Sequence, residues 1–485
     1  MIKEIASLIP DVKTPEVPVG LKEKLYWTAA VLVVFFVLGQ VYPVGVSFQG
    51  VNSQIQLLQV LLGSSIGSLT TLGIGPIVFA SIILQLAVGT GLLGVDTSTE
   101  EGKRYFQSIQ KLLIVVLAFI EGFIFVLNSQ LVPVLGVVPG TSPLLGSVFL
   151  TQLIVVIQIA FGAILIMFLD EVVQKYGVGS GVSLFILAGV ALQVFIGAFS
   201  ISTNAGIPVG LIPQSVYYII QGSASSAVWV LTPLFFTVIV FLITVYLEGM
   251  KIELPLTYGM ARGLGARYPI KFLYVSVMPV ILAFAVIFDF QLIAGLLASN
   301  GVTVLGVFSQ GVPVQSLSLA YLLSNFPSPL LMPGGYSSYV SFLFSSVPVT
   351  LFGRTAAIPL ELIHILVYGL VLVLLCVVFG WFWIETTGMS SKDVSKQLMS
   401  SGLQIPGFRQ DPRVIEKVLD RYIPIITILG SVTVGLLAWF AQITGALGTG
   451  IGILLAVGIT YQFYEQLVRD ELFEIYPDLE KFVKR

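Results

Sequence analysis

Ten stretches of this chain are long and apolar enough to cross a lipid bilayer, and that constrains the fold more than any motif in it. Each approaches the ~20 residues a helix needs to span hydrocarbon. They lie at about 25–43, 72–93, 108–127, 146–169, 178–199, 228–247, 272–290, 358–384, 422–443 and 448–466. Backbone in hydrocarbon has no water to bond, so such a stretch folds as a helix. Apolar residues make up 56% of the 485 and charged residues 10%, against about 25% charged in globular domains. With a mean hydropathy of +1.00, no water-soluble core absorbs so much apolar surface. The expected fold is an all-α, multi-pass membrane protein. The first stretch is too long for a signal-peptide core and lacks a cleavage pattern, so it reads as retained.

Basic residues test the span count. With the N-terminus inside and ten spans, every Lys and Arg falls on the inner side except Arg354. The positive-inside rule predicts this bias, and one span more or fewer would scramble it. The apolar stretch 338–352 is short and broken by Pro348. Counting it would expel the basic segment 385–421, so it is not a span. Both termini are expected in the cytoplasm. The ten spans divide into an N-terminal half over 1–200, an external hinge linker at 201–227 and a C-terminal half over 228–485. Five spans per half invert the second half against the first; the inversion rests on span counting alone. The inner segments 248–271 and 385–421 balance acid and base as solvated loops do.

Residues 52–67, NSQIQLLQVLLGSSIG, place Gln54, Gln56 and Gln59 beside Ile55, Leu58, Leu61 and Leu62. The pattern is a short amphipathic helix, too short and polar to cross. By itself it suits a headgroup-level surface helix as well as a stopper in a pore mouth. Gly63-Ser64-Ser65-Ile66-Gly67 formally matches the nucleophile elbow, but no strand precedes it and the outer side supplies almost no acid or histidine. One Cys and one His exclude an internal disulfide and Cys- or His-rich metal sites. Glu361 and His364, spaced i, i+3, would need a second such pair for a di-iron bundle, so a structural pair or a water contact is expected. No cofactor, metal or catalytic residue is expected. Cys376 reads as inert packing, and Trp27, Trp381 and Trp383 as interface anchors.

Two spans begin alike. The second opens Thr71-Leu72-Gly73-Ile74-Gly75-Pro76-Ile77-Val78 and the fifth Tyr176-Gly177-Val178-Gly179-Ser180-Gly181-Val182. Each sets two aliphatics four apart on one helix face, among glycines that allow close backbone approach. Ordinary helix packing explains this pattern as readily as a functional stripe does. These two openings resemble spans two and five of SecY, the pore subunit of the protein-conducting channel. Arg267-Tyr268-Pro269-Ile270-Lys271-Phe272, Glu385-Thr386-Thr387-Gly388, Gly407-Phe408-Arg409 and Tyr464-Glu465-Gln466-Leu467 resemble later SecY segments in the right order. The likeness runs from about residue 20 to 480 and is of the archaeal type, related to the endoplasmic-reticulum subunit.

The resemblance implies ten helices in two pseudo-symmetric inverted halves with a re-entrant plug at 52–67. It implies an aliphatic pore ring at Ile74, Val78, Val178, Val182, Ile281 and Leu455, which a sliding polypeptide passes while water is refused. It implies a lateral gate between spans 2–3 and 7–8, with Glu121 and Asp289 in a polar cluster. Such intramembrane acids are functional candidates by default, and two facing acids without a cation would share a proton. The sequence departs from the archaeal pattern at Phe79, where a hydroxyl would complete the cluster. It implies docking of a ribosome or the SecA motor on 248–271 and 385–421, through Arg409 above all and through Arg262, Arg267, Lys271 and Arg413. SecE-like and small beta-type membrane subunits, signal sequences, nascent polypeptides and the lipid bilayer are the implied partners, in the cell membrane. A secondary transporter with inverted repeats is the alternative. It would place charge or polar unwound backbone at midplane, where this chain offers aliphatics.

Overall fold

The computed structural model describes residues 10–15, 19–47, 64–89, 92–93, 100–127, 132, 134–137, 141–204, 206–258, 265–299, 301–309, 312–324, 335–351, 354–400, 403–404, 412–448 and 450–475. Each of the ten apolar stretches contains one helix. In chain order they are α1 Leu21–Leu38, α2 Gly75–Gly89, α3 Glu100–Leu127, α4 Val148–Tyr176, α5 Gly181–Phe199, then, after α6 Leu211–Ile220 in the expected linker, α7 Ala224–Gly249 and α8 Met278–Ser299. After α9 Leu319–Leu322 and α10 Gly335–Leu343 comes α11 Leu360–Thr386; after α12 Ser391–Ser400 and α13 Pro412–Leu419 come α14 Ile423–Ile443 and α15 Gly450–Ile475. Eight of these helices, all but α1 and α2 among the ten, are long and apolar enough to cross a membrane by length and composition.

α2 falls short for a visible reason. Its 15 residues rise about 22 Å, less than the ~30 Å of hydrocarbon. The apolar run starts at residue 72, but Gly73, Gly75 and Pro76 delay the helix. Irregular backbone is tolerated at that depth only where it is buried in protein or lines a water-filled cavity. Ser68, Thr70, Thr71, Leu72 and Ile74 are accordingly all but fully buried.

The chain divides into two compact units: Met1–Gln193 with Ile459–Arg485, and Val194–Gly458. In the first unit, charged groups tie helix ends together. Lys24 pairs with Asp470 at 2.8 Å, and Glu171 receives Lys111 at 2.9 Å and Lys175 at 2.7 Å. The N-terminal strap joins them: Asp11 pairs with Lys111, the Val12 carbonyl accepts from Lys175 and the Lys13 carbonyl from Tyr176.

The expectation of plain solvated loops at 248–271 and 385–421 needs correction. Strands β3 Lys251–Tyr258 and β4 Gly265–Lys271 form an antiparallel hairpin, to which β9 Leu403–Gln404 adds a third strand. (Two-residue pairs β1–β2 at 203–208 and β5–β6 at 308–313, and hairpin β7–β8 at 347–358, precede β9 in the chain.) In the hairpin segment Lys-Ile-Glu-Leu, Leu254 is buried while Lys251, Ile252 and Glu253 are exposed. Leu254 and Ile270 pack with Val394, Leu398, Ile415 and Leu419 in a small core beyond the helix ends. Charge balance hid this layer. Within the rejected stretch, residues 338–343 belong to helix α10 and Val347–Leu351 form strand β7, so its described residues form no spanning helix.

In the second unit the only histidine of the chain helps fasten the connection from α8 to α11. Glu361 and His364 are each 1% exposed. Glu361 Oε1 accepts from the Tyr321 hydroxyl and, at 3.1 Å, from Gln315. His364 Nε2 donates to the Ser324 carbonyl at 2.9 Å. Burial, and then the bond to Glu361, push the Tyr321 phenol above its ordinary range, so it serves as a neutral donor. Glu361→Ala strands these donors in a dry site. It should cost ~1–3 kcal/mol, read as a lower thermal unfolding midpoint, and Tyr321→Phe should cost less. An unchanged midpoint for both would show that the cluster holds nothing.

Candidate functional site

The two glycine-rich helix starts belong to the first unit, and each is built the same way: a bent approach, a polar clamp, then an aliphatic pair. Before α2 the backbone descends in consecutive tight turns, with Thr71 N–H on Ser68 O at 3.1 Å, Gly73 on Thr70 at 2.9 Å and Gly75 on Leu72 at 3.0 Å. Gly73 takes φ +52°, a conformation most side chains avoid. The Thr71 hydroxyl accepts from Gly67 N–H at 3.0 Å, and the Ser68 and Thr70 hydroxyls bond each other at 2.9 Å. These hydroxyls satisfy backbone that water cannot reach. Pro76 costs nothing here, because the first-turn N–H groups of a helix lack partners anyway. Val78 N–H reaches the Ile74 carbonyl at 3.0 Å, so the two side chains lie one turn apart. Ile74 is 1% exposed and Val78 half-buried.

At α5 the clamp comes from other helices. Val178 N–H donates to Thr28 Oγ1 of α1 at 3.0 Å. Val182 N–H donates to Asp170 Oδ1 of α4 at 2.9 Å. Gly179 has φ +74°, and a Cβ there would meet the Phe463 ring of α15, its Cδ1 at 2.8 Å. Val178 is 3% exposed and Val182 half-buried. Sequence reading missed both Thr28 and Asp170. The one available signal was an acid at the inner end of a span, shortly before a helix start that has no acid of its own.

The remaining expected residues distribute as follows. Ile281 lies in the first turn of α8, half-buried, and Leu455 in α15, 2% exposed; both are in the second unit. Glu121 is half-buried on α3, and Asp289 falls within α8. The hydroxyl missing at Phe79 has a neighbour that sequence reading passed over: Ser81 Oγ accepts from Gln110 of α3 at 2.7 Å, a polar link between spans two and three. On the hairpin, Arg267 is exposed and pairs with Glu253 at 2.8 Å. That hydrogen bond holds the Glu253 carboxyl below its usual range. Lys271 is half-buried and Arg413 exposed. The plug residues Ile55, Leu58, Leu61 and Leu62, and the docking candidates Arg262 and Arg409, lie outside the described residues. Among the described residues no three His, Cys, Asp or Glu side chains gather to hold a metal ion.

Long apolar helices, sheltered irregular starts and uncharged aliphatic pairs define a polytopic α-helical membrane protein built around apolar contacts. Residues 68–464 match the SecY family. The chain belongs to that family. Protein translocase subunit SecY of Methanothermobacter thermautotrophicus is 40% identical over 484 residues, 98% of this chain and 97% of that protein. Its counterpart in Methanocaldococcus jannaschii is 39% identical over 483 residues, 99% of each. A solved structure described as "The structure of a protein conducting channel" matches with TM-score 0.77 at 39% identity, covering 98% of this chain and 99% of that one. One described as "Sec61 in the Canine ribosome-channel complex from the endoplasmic reticulum" matches with TM-score 0.74 at 38% identity over the same shares.

Proposed function

We propose that this chain is the central channel subunit of a protein translocase. It passes unfolded polypeptide across the cell membrane and releases apolar segments sideways into lipid, and it carries no chemistry of its own. The observation that carries the reading is the pair of clamped helix starts presenting Ile74, Val78, Val178 and Val182. With Ile281 and Leu455 these positions make the waist of the pore. Aliphatic side chains offer water and ions no hydrogen-bond partner, so a narrow passage among them dewets. They also offer a sliding chain no polar partner to hold it. Valine at both fifth-span positions, Val178 and Val182, widens the waist slightly against isoleucine.

The rest of the reading follows from the same function. The segment 52–67 stops the outer mouth. Five spans on each side of the linker 201–227 form two inverted halves, with both termini in the cytoplasm. The gate lies between spans 2–3 and 7–8, near Glu121 and Asp289. The hairpin and the segment 385–421 dock a ribosome or a cytosolic motor, through Arg262, Arg267, Lys271, Arg409 and Arg413. Energy for transport comes from that partner, and small SecE-like and beta-type subunits complete the complex. The names of the relatives, protein translocase subunits and a ribosome-channel complex, support the channel role and the ribosome as a partner.

Photo-crosslinkers placed in the 72–93 and 272–290 stretches test the gate. A stalled nascent chain should form adducts there through its apolar signal segment, and the yield should fall when that segment is made polar. No adducts at either stretch, with adducts elsewhere in the chain, would count against sideways release.

A further inference from the structure

We propose that Asp170 is a positioning residue of the constriction: its carboxyl group on α4 pins the first turn of α5 and so holds Val178 and Val182 where the pore narrows. The inference rests on the pore reading above and extends it to a residue outside the aliphatic set.

The geometry is specific. Asp170 is 7% exposed. Its Oδ1 accepts from Val182 N–H at 2.9 Å, its Oδ2 accepts from Gln174 Nε2 at 2.8 Å, and Gly181 N–H donates to the same carboxyl group. The first N–H groups of a helix have no intrahelical partner. A side-chain oxygen usually caps them from the residue just before the helix. Here the cap comes from another helix, so it fixes where the helix start sits against α4, not only its local shape. Gly181 admits the approach: a Cβ at that position would stand 2.5 Å from Asp170 Cα and 2.8 Å from Oδ1. On the other side of the same turn, Thr28 Oγ1 takes Val178 N–H and itself donates to the Lys24 carbonyl at 2.8 Å. The segment carrying both valines is therefore held at each end by a polar atom of a neighbouring helix, while the two valine side chains themselves stay aliphatic. That division of labour suits a seal. The atoms facing the passage must be apolar, so the bonds that fix them have to come from behind.

The test is resting ion conductance per folded channel, with the full complex reconstituted in liposomes, read beside amide hydrogen exchange at Gly181 and Val182. Asp170→Ala should raise resting conductance severalfold, because the start of α5 loses its cap, and should speed exchange at both amides. Asp170→Asn caps as well as aspartate does and should stay within about twofold of the parent. Equal leak from both variants, or a lower unfolding midpoint for Asp170→Ala at unchanged conductance, overturns the proposal. Should Asp170→Ala fail to accumulate, Asp170→Glu decides: it moves the carboxyl group one methylene away from its place over Val182 N–H, and unchanged conductance and exchange would overturn the proposal too. Ile74→Gly with Val178→Gly serves as control. If that pair leaks and Asp170→Ala does not, the positioning role fails and the pore reading stands; if neither leaks, the pore reading falls with it.

Discussion

Replacing Ile74 and Val178 together by glycine should raise the resting ion conductance of the reconstituted channel by roughly an order of magnitude or more, because the seal consists of their side chains. Both positions lie in turns just before their helices begin, so glycine's penalty of about 1 kcal/mol in a helix interior largely spares them. Both are nearly fully buried, however, and removing a buried aliphatic side chain typically costs ~2–5 kcal/mol. Conductance must therefore be counted per folded channel. A paired control, Ile74→Leu with Val178→Ile, keeps aliphatic bulk and should stay sealed. If the glycine pair conducts no more than the leucine–isoleucine pair, the waist is not where this reading puts it.

The parts of this fold legible in the sequence are those that one span or one turn determines. Hydrophobic length located all ten helices, since a single apolar stretch in hydrocarbon satisfies its own backbone only as a helix. The i, i+4 aliphatics after Gly73 and Gly177 announced two unusual helix starts, because glycine and proline delay a helix and periodicity then names its face. What stayed hidden depends on partners remote in the chain. Thr28 meets Val178 across 150 residues. Glu361 was read as one of a pair with His364, yet its strongest bonds come from Tyr321 and Gln315, some forty residues earlier. The inner hairpin was hidden for another reason: its charges balance, so composition read it as solvated, and Leu254 is buried by partners from the distant segment 394–419. Asp170 shows the limit most clearly. Near the end of α4 an acid passes for an ordinary inner-end charge, and only the fold brings it over the start of the next helix.

Two glycines inside spanning helices should respond to alanine with opposite signs. Gly162 of α4 lies against the backbone that leads into Ile74: a Cβ there would fall on the Leu69 carbonyl, with Leu69 C at 2.8 Å. Leu69 has little room to retreat, since its N–H bonds the Val41 carbonyl at 2.8 Å and the flanking Ser68 and Thr70 are fully buried in their hydroxyl knot. Gly162→Ala should cost ~1–3 kcal/mol as overpacking does, and Gly162→Leu should prevent accumulation of folded channel. Gly122 of α3 is the counterpart. A Cβ there would find its nearest neighbour, the Val156 carbonyl oxygen, at 3.6 Å, an ordinary contact. Gly122→Ala should therefore gain up to about 1 kcal/mol from helix propensity. Thermal unfolding midpoints of the two purified variants decide the matter, and equal midpoints would mean that the close passage of α4 over Leu69 is no tighter than common helix packing. Because the displaced backbone leads directly into the Ile74 turn, Gly162→Ala should also leak, whereas Gly122→Ala should remain sealed; the pairing of lost stability with lost seal in one variant and neither in the other ties helix packing to the waist it supports.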